Sequence, residues 1–281
     1  MWGKPKVNQQ SAPPGDAPRA PSRTVWFPDE SILIGTATML GFLVMWEAVA
    51  ALRLIDPLFI SSPLRVIAAG REMFGTGEIW KDIEASGSAF LWGYLLSIAV
   101  GVPAGLAMGS SRRMNLMLGP LVDTLNAVPR ITLLPLIGIW AGIGIWSKIA
   151  VVFLGAVIPI TIYTLAGART SEARFNRVAL SFGASRMKIF TSLVLPGVVP
   201  FVFTGLKYGA GRALLGVVVG ELYASTAGLG HMISQAGNAL ETDVVFLGVL
   251  LFTAAGLVIT GILDAIERWF DRWRPEPGGK R

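Results

Sequence analysis

Six stretches of mostly apolar residues, separated by polar or charged segments, dominate the sequence. A helix needs about 20 apolar residues to cross the ~30 Å hydrocarbon core of a bilayer. Lipid offers the backbone no hydrogen-bond partners, so segments of this kind favour helices. The sequence therefore predicts an all-α integral membrane protein in contact with membrane lipid. Its six transmembrane helices are placed at residues 31–52, 87–109, 116–141, 146–167, 197–224 and 243–266.

The composition agrees with a membrane domain. Hydrophobic residues make up 53% of the chain and charged residues 15%, and the mean hydropathy is +0.59. A soluble domain carries about a quarter charged residues. We divide the chain into a disordered tail (1–30), a six-span domain (31–267) that includes a loop at 168–195, and a basic tail (268–281).

The distribution of basic residues predicts the topology. With the N-terminus in the cytoplasm, 16 of the 24 Lys and Arg residues fall in cytoplasmic segments, five fall outside and three fall within spans. Cytoplasmic loops carry an excess of Lys and Arg in membrane proteins. Both termini and the loop at 168–195 are therefore predicted to be cytoplasmic.

Several functional classes are excluded by the residues that the chain lacks. It has no cysteine and a single histidine, His231, so thiol chemistry and a histidine metal cluster are excluded. It has no G-x-x-x-x-G-K-[ST] phosphate loop. We therefore expect no metal, no cofactor and no catalytic residue in this chain. The net charge of +6 lies beside the apolar runs, where topology places it, so we expect no nucleic-acid partner.

Three local patterns predict structure between and within the spans. Ser62-Pro63 is typical of a helix start, so we expect short helices outside the membrane at 53–86, with a stop near Gly75. Residues 225–242 are expected to form a loop that contains G-L-G at 228–230 and a solvated His231. Small residues let helices approach closely in membranes. A packing face is therefore predicted on the second span, at Gly101, Gly105 and Gly109.

The stretch from Arg174 to Pro196 is basic and amphipathic. Four apolar residues at helical spacing predict one face of a short helix, namely Phe175, Val178, Ala179 and Phe182. Gly183 breaks the pattern. A second short helix with Met187, Phe190 and Val194 on one side then runs until Pro196 ends it. Two short helices bent at a glycine form a part that can lie in a partner's groove.

This stretch resembles the cytoplasmic loop of ABC-transporter permeases, which reads E-A-A, three residues, Gly, nine residues, Ile, one residue, Leu-Pro. Five positions match or nearly match it: Ala179, Gly183, Leu193, Leu195 and Pro196. Arg177 and Val178 replace the Glu and the middle Ala. The runs at 135–148 and 204–230 are similar to the nitrate, taurine and sulfonate branch of these permeases.

The resemblance implies the membrane subunit of a binding-protein-dependent importer in the bacterial inner membrane, with the type I ABC importer permease fold. It also implies a second permease copy, two ABC ATPase subunits that bind ATP and Mg²⁺, and a periplasmic substrate-binding protein. Transport of a small, often anionic solute is expected in this branch. Phe175, Val178 and Phe182 are expected to enter a groove of the ATPase through loop 172–195. The rest of the ATPase contact would comprise Arg174, Arg177, Ala179, Gly183, Leu195 and Pro196.

Polar residues within the spans predict either a solute path or internal ion pairs. Asp123, Asn126 and Arg130 share one face of the third span. A face of the fifth span carries Thr204, Lys207, Tyr208, Gly211 and Arg212. In the first hypothesis these faces line the path, and Arg130 and Arg212 offer positive potential to an anion. In the second, Asp123 pairs with Arg130, or Arg212 pairs with Glu221 of a neighbouring helix.

Two other functions occur among proteins with several membrane spans. A secondary transporter would show inverted repeats or broken helices with carboxylates at mid-membrane. A membrane enzyme would need a nucleophile with a base, or a metal site. The sequence shows neither set of features. The second permease copy implied by the resemblance is either identical to this chain or a sister permease.

Overall fold

The computed structural model describes residues 28–56 and 58–271, without the side chains of residues 28, 29, 31, 171–178, 180, 186, 224 and 271. The described chain is helical and contains no strand. A 3₁₀ turn at Arg130–Leu133 and a π-helical turn at Phe190–Val194 interrupt the α-helices. The α-helices are α1 (Pro28–Ala51), α2 (Pro63–Thr76), α3 (Ile79–Ser110), α4 (Arg112–Ala127), α5 (Leu134–Ala141), α6 (Ile145–Ser181), α7 (Arg186–Ile189), α8 (Leu195–Ala224), α9 (Leu229–Asn238) and α10 (Thr242–Asp271).

Five helices of the described residues are long and apolar enough to cross a membrane, and a sixth span results if α4 and α5 count as one bent pair. The all-α class is thus confirmed. The candidate spans are 32–51, 79–110, 145–170, 187–223 and 242–270, with 112–141 as the bent pair. The second span begins earlier than 87, because the segment that we expected to lie outside the membrane continues directly into α3.

The chain divides into a unit that ends at Ala48 and a unit that begins at Val49. The first unit consists of most of α1 among the described residues. The second unit is built around α3, α6 and α8, whose buried residues form the largest apolar cluster, including Val152, Ile160 and Val217. The predicted tail at 1–30 falls almost entirely outside the described residues.

Glycines set a constant register between α3 and α6. A Cβ placed on Gly101 would lie 2.9 Å from Cγ2 of Ile160, and one on Gly105 would lie 2.6 Å from Cβ of Thr164. Gly109 faces Ala168 in the same way. The predicted packing face is therefore confirmed. The residue numbers of the contacting pairs increase together along α3 and α6. The two helices are therefore parallel and in close contact.

The contact between α6 and α8 also depends on glycines, but these helices are antiparallel. A Cβ on Gly155 would lie 2.9 Å from the carbonyl oxygen of Arg212, and one on Gly216 would lie 3.2 Å from that of Val151. In lipid no hydrophobic force drives helices together, so close backbone approach is the main source of packing energy. Gly205 and Gly209 approach Ile160 of α6 in the same way, so the close contact extends over several turns of α8.

The short helices α2 and α9 pack with α10 around Val66, Leu229 and Leu247. The Ser62 hydroxyl accepts a hydrogen bond from the Arg65 N–H at 3.3 Å, so the predicted helix start is confirmed. The helix ends at left-handed Gly77 (φ 81°) and not at Gly75. Residues 229–238 are helical, so the loop expected over 225–242 is wrong there, and His231 is half-buried in α9.

The third span is bent, not straight as expected. Pro129 disfavours helical backbone at the residue before it, and Val128 is extended at φ −70°, ψ 125°. The two helical pieces meet at 92°. Asp123 and Arg130 are therefore not on one helical face, and that prediction is wrong.

The predicted pair of short helices after residue 168 is also wrong in part. Helix α6 continues without interruption to Ser181. Gly183 then adopts a left-handed conformation (φ 74°), and the Ala184 N–H donates to the Ala179 carbonyl at 3.0 Å. This is the Schellman geometry of a helix end. Pro196 does not end the second helix, because it lies in the first turn of α8.

We predict that Gly105→Ala destabilises the protein, because the added methyl group would collide with Thr164 and separate α3 from α6. Overpacking of this kind costs about 1–3 kcal/mol. The measurement is the thermal unfolding temperature of the purified protein in detergent. Gly87→Ala is the matched control, since a Cβ at Gly87 on the same helix meets nothing within 4 Å. Equal stability of the two variants would contradict the register.

Candidate functional site

A buried ion pair joins the N-terminal turn of α6 to the C-terminal turn of α8. Lys148 Nζ lies 3.3 Å from Glu221 Oε1, and the two residues are 6% and 1% exposed. The Ser86 hydroxyl of α3 lies 2.9 and 2.8 Å from the two carboxylate oxygens. The Gly230 N–H donates to Glu221 Oε2 at 2.8 Å. We call Ser86, Lys148, Glu221 and Gly230 the Glu221 network.

The Glu221 network also fixes the connection between α8 and α9. Lys148 Nζ donates to the Ala227 carbonyl at 2.5 Å, and the Leu229 N–H donates to Ser86 Oγ at 2.8 Å. The Gly228 N–H donates to Asp82 Oδ1 at 2.7 Å. A side chain at Gly228 would collide with the Glu221 carboxylate. Glycine is therefore required there, both for space and for its φ of 128°.

The hypothesis that Glu221 pairs with Arg212 is wrong, because the partner of Glu221 is Lys148. Sequence reasoning missed this pair, because it placed Lys148 in an outer loop. A signal was present, since Lys148 follows the G-I-G-I-W-S turn and so begins α6. No local pattern pointed to Ser86.

The structure brings Asn126, Arg130 and Arg212 together. All three line a cavity of about 400 Å³ between the α4–α5 bend, α6 and α8. Val151 and Gly155 of α6 and Leu215 of α8 complete its apolar part. We call this space the Arg130–Arg212 cavity.

Among the residues that the structure describes, the two arginines of this cavity have no anionic partner. In the described part of the chain, neither Arg130 nor Arg212 forms an ion pair or a side-chain hydrogen bond. Asp123 has no such pair with Arg130 either. Ionisable groups within spans are costly and mark pathways or pairs. Since no pair is formed, the cavity can attract an anion.

The other two residues assigned to the path lie further along α8 and do not line the cavity. Tyr208 is 60% exposed and stacks on Tyr163 of α6 with ring centroids 5.0 Å apart. The Thr204 hydroxyl donates to the Pro200 carbonyl of its own helix at 2.9 Å. Tyr208 and Thr204 precede Arg212 by one and two helical turns, so all three lie on one side of α8.

Lys207, on the same predicted face, has a different role. Its Nζ pairs with Asp264 and lies 2.5 Å from Oε2 of Glu267, both on α10. Lys207 therefore joins α8 to α10. Within the described residues it is a lysine compensated by two carboxylates.

The bend after α6 exposes Phe182, whose side chain is 86% accessible. Ala179 is half-buried and Leu195 is 44% exposed. Met187 is 71% exposed whereas Val194 is 4% exposed, because the π-turn shifts the helical phase between them. The backbone at Arg174, Phe175, Arg177 and Val178 is helical, but their side chains lie outside the described residues.

A metal centre has no candidate ligands in the described ranges. No group of three or more His, Asp and Glu residues that could hold a metal ion is found there. The Glu221 carboxylate, which is the most buried acid, is fully occupied by hydrogen bonds.

We predict that Lys148→Met destabilises the protein strongly, because it leaves the Glu221 carboxylate buried without its cation. Breaking one side of a buried pair costs about 3–5 kcal/mol. The double variant Lys148→Met/Glu221→Gln should recover much of that loss, since no charge remains. Thermal unfolding in detergent measures both. Lys207→Met is the control, because Lys207 is 28% exposed in its side chain and should matter less. Equal losses from Lys148→Met and Lys207→Met would contradict the assignment.

Comparisons with known proteins agree with this architecture. Residues 97–274 match the sequence profile of the family described as "Binding-protein-dependent transport system inner membrane component". The taurine transport system permease protein TauC of Escherichia coli is 33% identical over 256 residues, which cover 89% of this chain and 93% of that protein. The putative aliphatic sulfonates transport permease protein SsuC of Bacillus subtilis is 29% identical and covers 83% of this chain and 84% of its own length.

A third relative and one solved structure extend the comparison. The bicarbonate transport system permease protein CmpB of Synechococcus elongatus is 29% identical over 87% of this chain and 90% of that protein. The fold matches a chain of the inward-facing MetNI methionine ABC transporter with a TM-score of 0.58, at 16% identity, over 68% of this chain and 95% of that one. The chain therefore belongs to the binding-protein-dependent transport system inner membrane components, and it is a multi-pass permease subunit of an ATP-driven importer whose ATPase is a separate subunit.

Proposed function

We propose that this permease imports a small anionic solute that a periplasmic binding protein delivers. The named solutes of three relatives support this, because taurine, aliphatic sulfonates and bicarbonate all carry an oxyanion group. A second permease copy and two ATPase subunits would complete the transporter, each ATPase holding ATP and Mg²⁺. The family consists of importer components, so it does not support the hypothesis of a secondary transporter.

The proposed orientation follows from the charges of the sequence. Both termini and the segment 168–195 would face the cytoplasm, within a six-span domain at 31–267 flanked by cytoplasmic tails at 1–30 and 268–281. The Glu221 network would then lie near the outer surface, since α6 begins and α8 ends there.

The observation that carries the coupling proposal is the bend at Phe182 and Gly183. Phe182 is an aromatic side chain that is 86% exposed, and it stands at the end of a 37-residue helix. We propose that the segment 172–195 docks on the ATPase. Phe175, Val178 and Phe182 would enter its groove, and Arg174, Arg177 and Ala179 would surround them.

Motion of the ATPase would pass from this segment to α6 and α8. Both helices continue directly from it, α6 before Gly183 and α8 from Leu195 and Pro196 onward. The solute would then move along the side of α8 that carries Thr204, Tyr208 and Arg212, with Asn126 and Arg130 facing it. This is coupling between two sites, and it requires an element with two conformations.

The importer function is tested by reconstituting the chain with its ATPase and binding protein in liposomes. We expect ATP hydrolysis to rise when the binding protein is loaded with one oxyanion solute, tested among taurine, an alkanesulfonate, bicarbonate and nitrate. Unloaded binding protein is the control. Hydrolysis that ignores every loaded form, in a complex that assembles, would contradict the anionic-solute proposal.

The coupling segment is tested by Phe182→Asp and Gly183→Pro. We expect both to abolish solute-stimulated hydrolysis and to weaken ATPase association, because one places a charge in an apolar groove and the other cannot adopt φ 74°. Membrane insertion should be unchanged. Phe182→Leu, which keeps an apolar side chain, should retain most of the coupling. Association and stimulation at the unmodified level in Phe182→Asp would exclude this contact.

A further inference from the structure

We propose that the Arg130–Arg212 cavity is a saturable binding site for a small oxyanion, which both guanidinium groups hold directly. The proposal rests on the importer function proposed above and deepens it. It adds a site of defined chemistry within the membrane subunit, so that selection of the solute does not depend on the binding protein alone.

Two positive charges lie in this cavity. The guanidinium groups of Arg130 and Arg212 share its volume of about 400 Å³. Neither has a carboxylate partner among the residues that the structure describes. Arg212 precedes Tyr223, the end of its candidate span, by eleven residues, which is about 16 Å along the helix. Two uncompensated positive charges at that depth are unfavourable unless an anion joins them.

The backbone of the third span is irregular at this cavity. The span is broken at Val128 and Pro129, and both residues line the cavity. Irregular backbone at membrane depth is tolerated only where protein covers it or where it lines a water-filled space. A cavity that admits water and a charged solute satisfies this rule.

Lys207, five residues before Arg212 on α8, is a cation of another kind. Asp264 and Glu267 of α10 neutralise its charge. Carboxylates are thus available on the helix that packs beside this part of α8, yet none faces the cavity. Within the described residues, Lys148 and Lys207 each have a carboxylate partner, whereas these two arginines have none.

The chemistry of the lining selects an oxyanion. A guanidinium presents a planar fork of donors that binds two oxygens of one anion, whereas an ammonium acts as a point charge. The Asn126 amide adds a neutral donor or acceptor, and the rest of the wall is apolar. A compact anion with two or three oxygens on one centre fits this set, and a cation would be repelled.

Direct binding is measured on the permease–ATPase complex in nanodiscs, without binding protein. Methanesulfonate and sulfate are the probes, and tetramethylammonium is the cation control at equal ionic strength. We expect a saturable rise of the unfolding temperature with the oxyanions alone. Arg130→Gln and Arg212→Gln should each weaken the apparent affinity about 10- to 100-fold, as expected for a lost charge-assisted hydrogen bond. Arg130→Lys should recover only part of it, and Lys207→Gln should leave it unchanged.

A second measurement compares two reagents on a chain in which both arginines are intact, and it uses the absence of cysteine from the chain. Leu215→Cys places one thiol in the cavity wall. A sulfonate-bearing methanethiosulfonate reagent should label it faster than a trimethylammonium-bearing one, and methanesulfonate should slow both. Ile139→Cys is the control, since Ile139 is 77% exposed and lies outside the cavity. Adding Arg130→Gln should lower the anion preference at residue 215 about tenfold.

The outcomes separate this site from the importer function. Absence of a saturable anion effect, or labelling at residue 215 without preference for the anionic reagent, would overturn the site even if loaded binding protein stimulates hydrolysis. Anion binding that both arginine variants abolish would support the site. It would do so even if hydrolysis ignores every loaded binding protein, which is the result that contradicts the delivery of an anionic solute by that protein.

Discussion

The buried pair between Lys148 and Glu221 determines how one end of the molecule is assembled. Its carboxylate is 1% exposed and accepts hydrogen bonds from α3, from α6 and from the backbone of α9. Removing a charge from this set would leave its partner buried without compensation, which is more unfavourable than having neither charge. The pair therefore holds the α8–α9 connection through hydrogen bonds, and Gly228 and Gly230 stand where a side chain would meet Glu221.

The remaining structure divides into regular and irregular parts. Helices α3, α6 and α8 are held in register by glycines, with little space for rearrangement. Two irregular stretches of backbone are the bend near Pro129 and the π-turn over Phe190–Val194. The first borders the Arg130–Arg212 cavity, and the second joins the segment proposed for ATPase docking to α8. Each of the two proposed sites therefore lies beside irregular backbone.

Sequence reasoning predicted the elements that local physics determines. The all-α class, the cap at Ser62 and the glycine face of α3 depend on short-range patterns, and the structure agrees. Sequence reasoning failed where the structure depends on a contact between two segments that are distant in the chain. The partner of Glu221 is 73 residues away and could not be read from either segment. The bend of 92° at Pro129 is not predicted, because a proline in the sequence does not reveal the angle between the two helical pieces. The segment after residue 168 is predicted as two short helices, because its apolar pattern does not show that it continues α6.

The register between α3 and α6 has a mechanical consequence. Gly101, Gly105 and Gly109 recur every four residues and face Ile160, Thr164 and Ala168, which recur at the same interval. A slide of one residue would drive a side chain into backbone, and contacts of this quality return only after a shift of four residues, about 6 Å. The register between the two helices can therefore change only in steps of about 6 Å. Smaller displacements within a transport cycle would turn or tilt α3 and α6 together and leave these contacts intact.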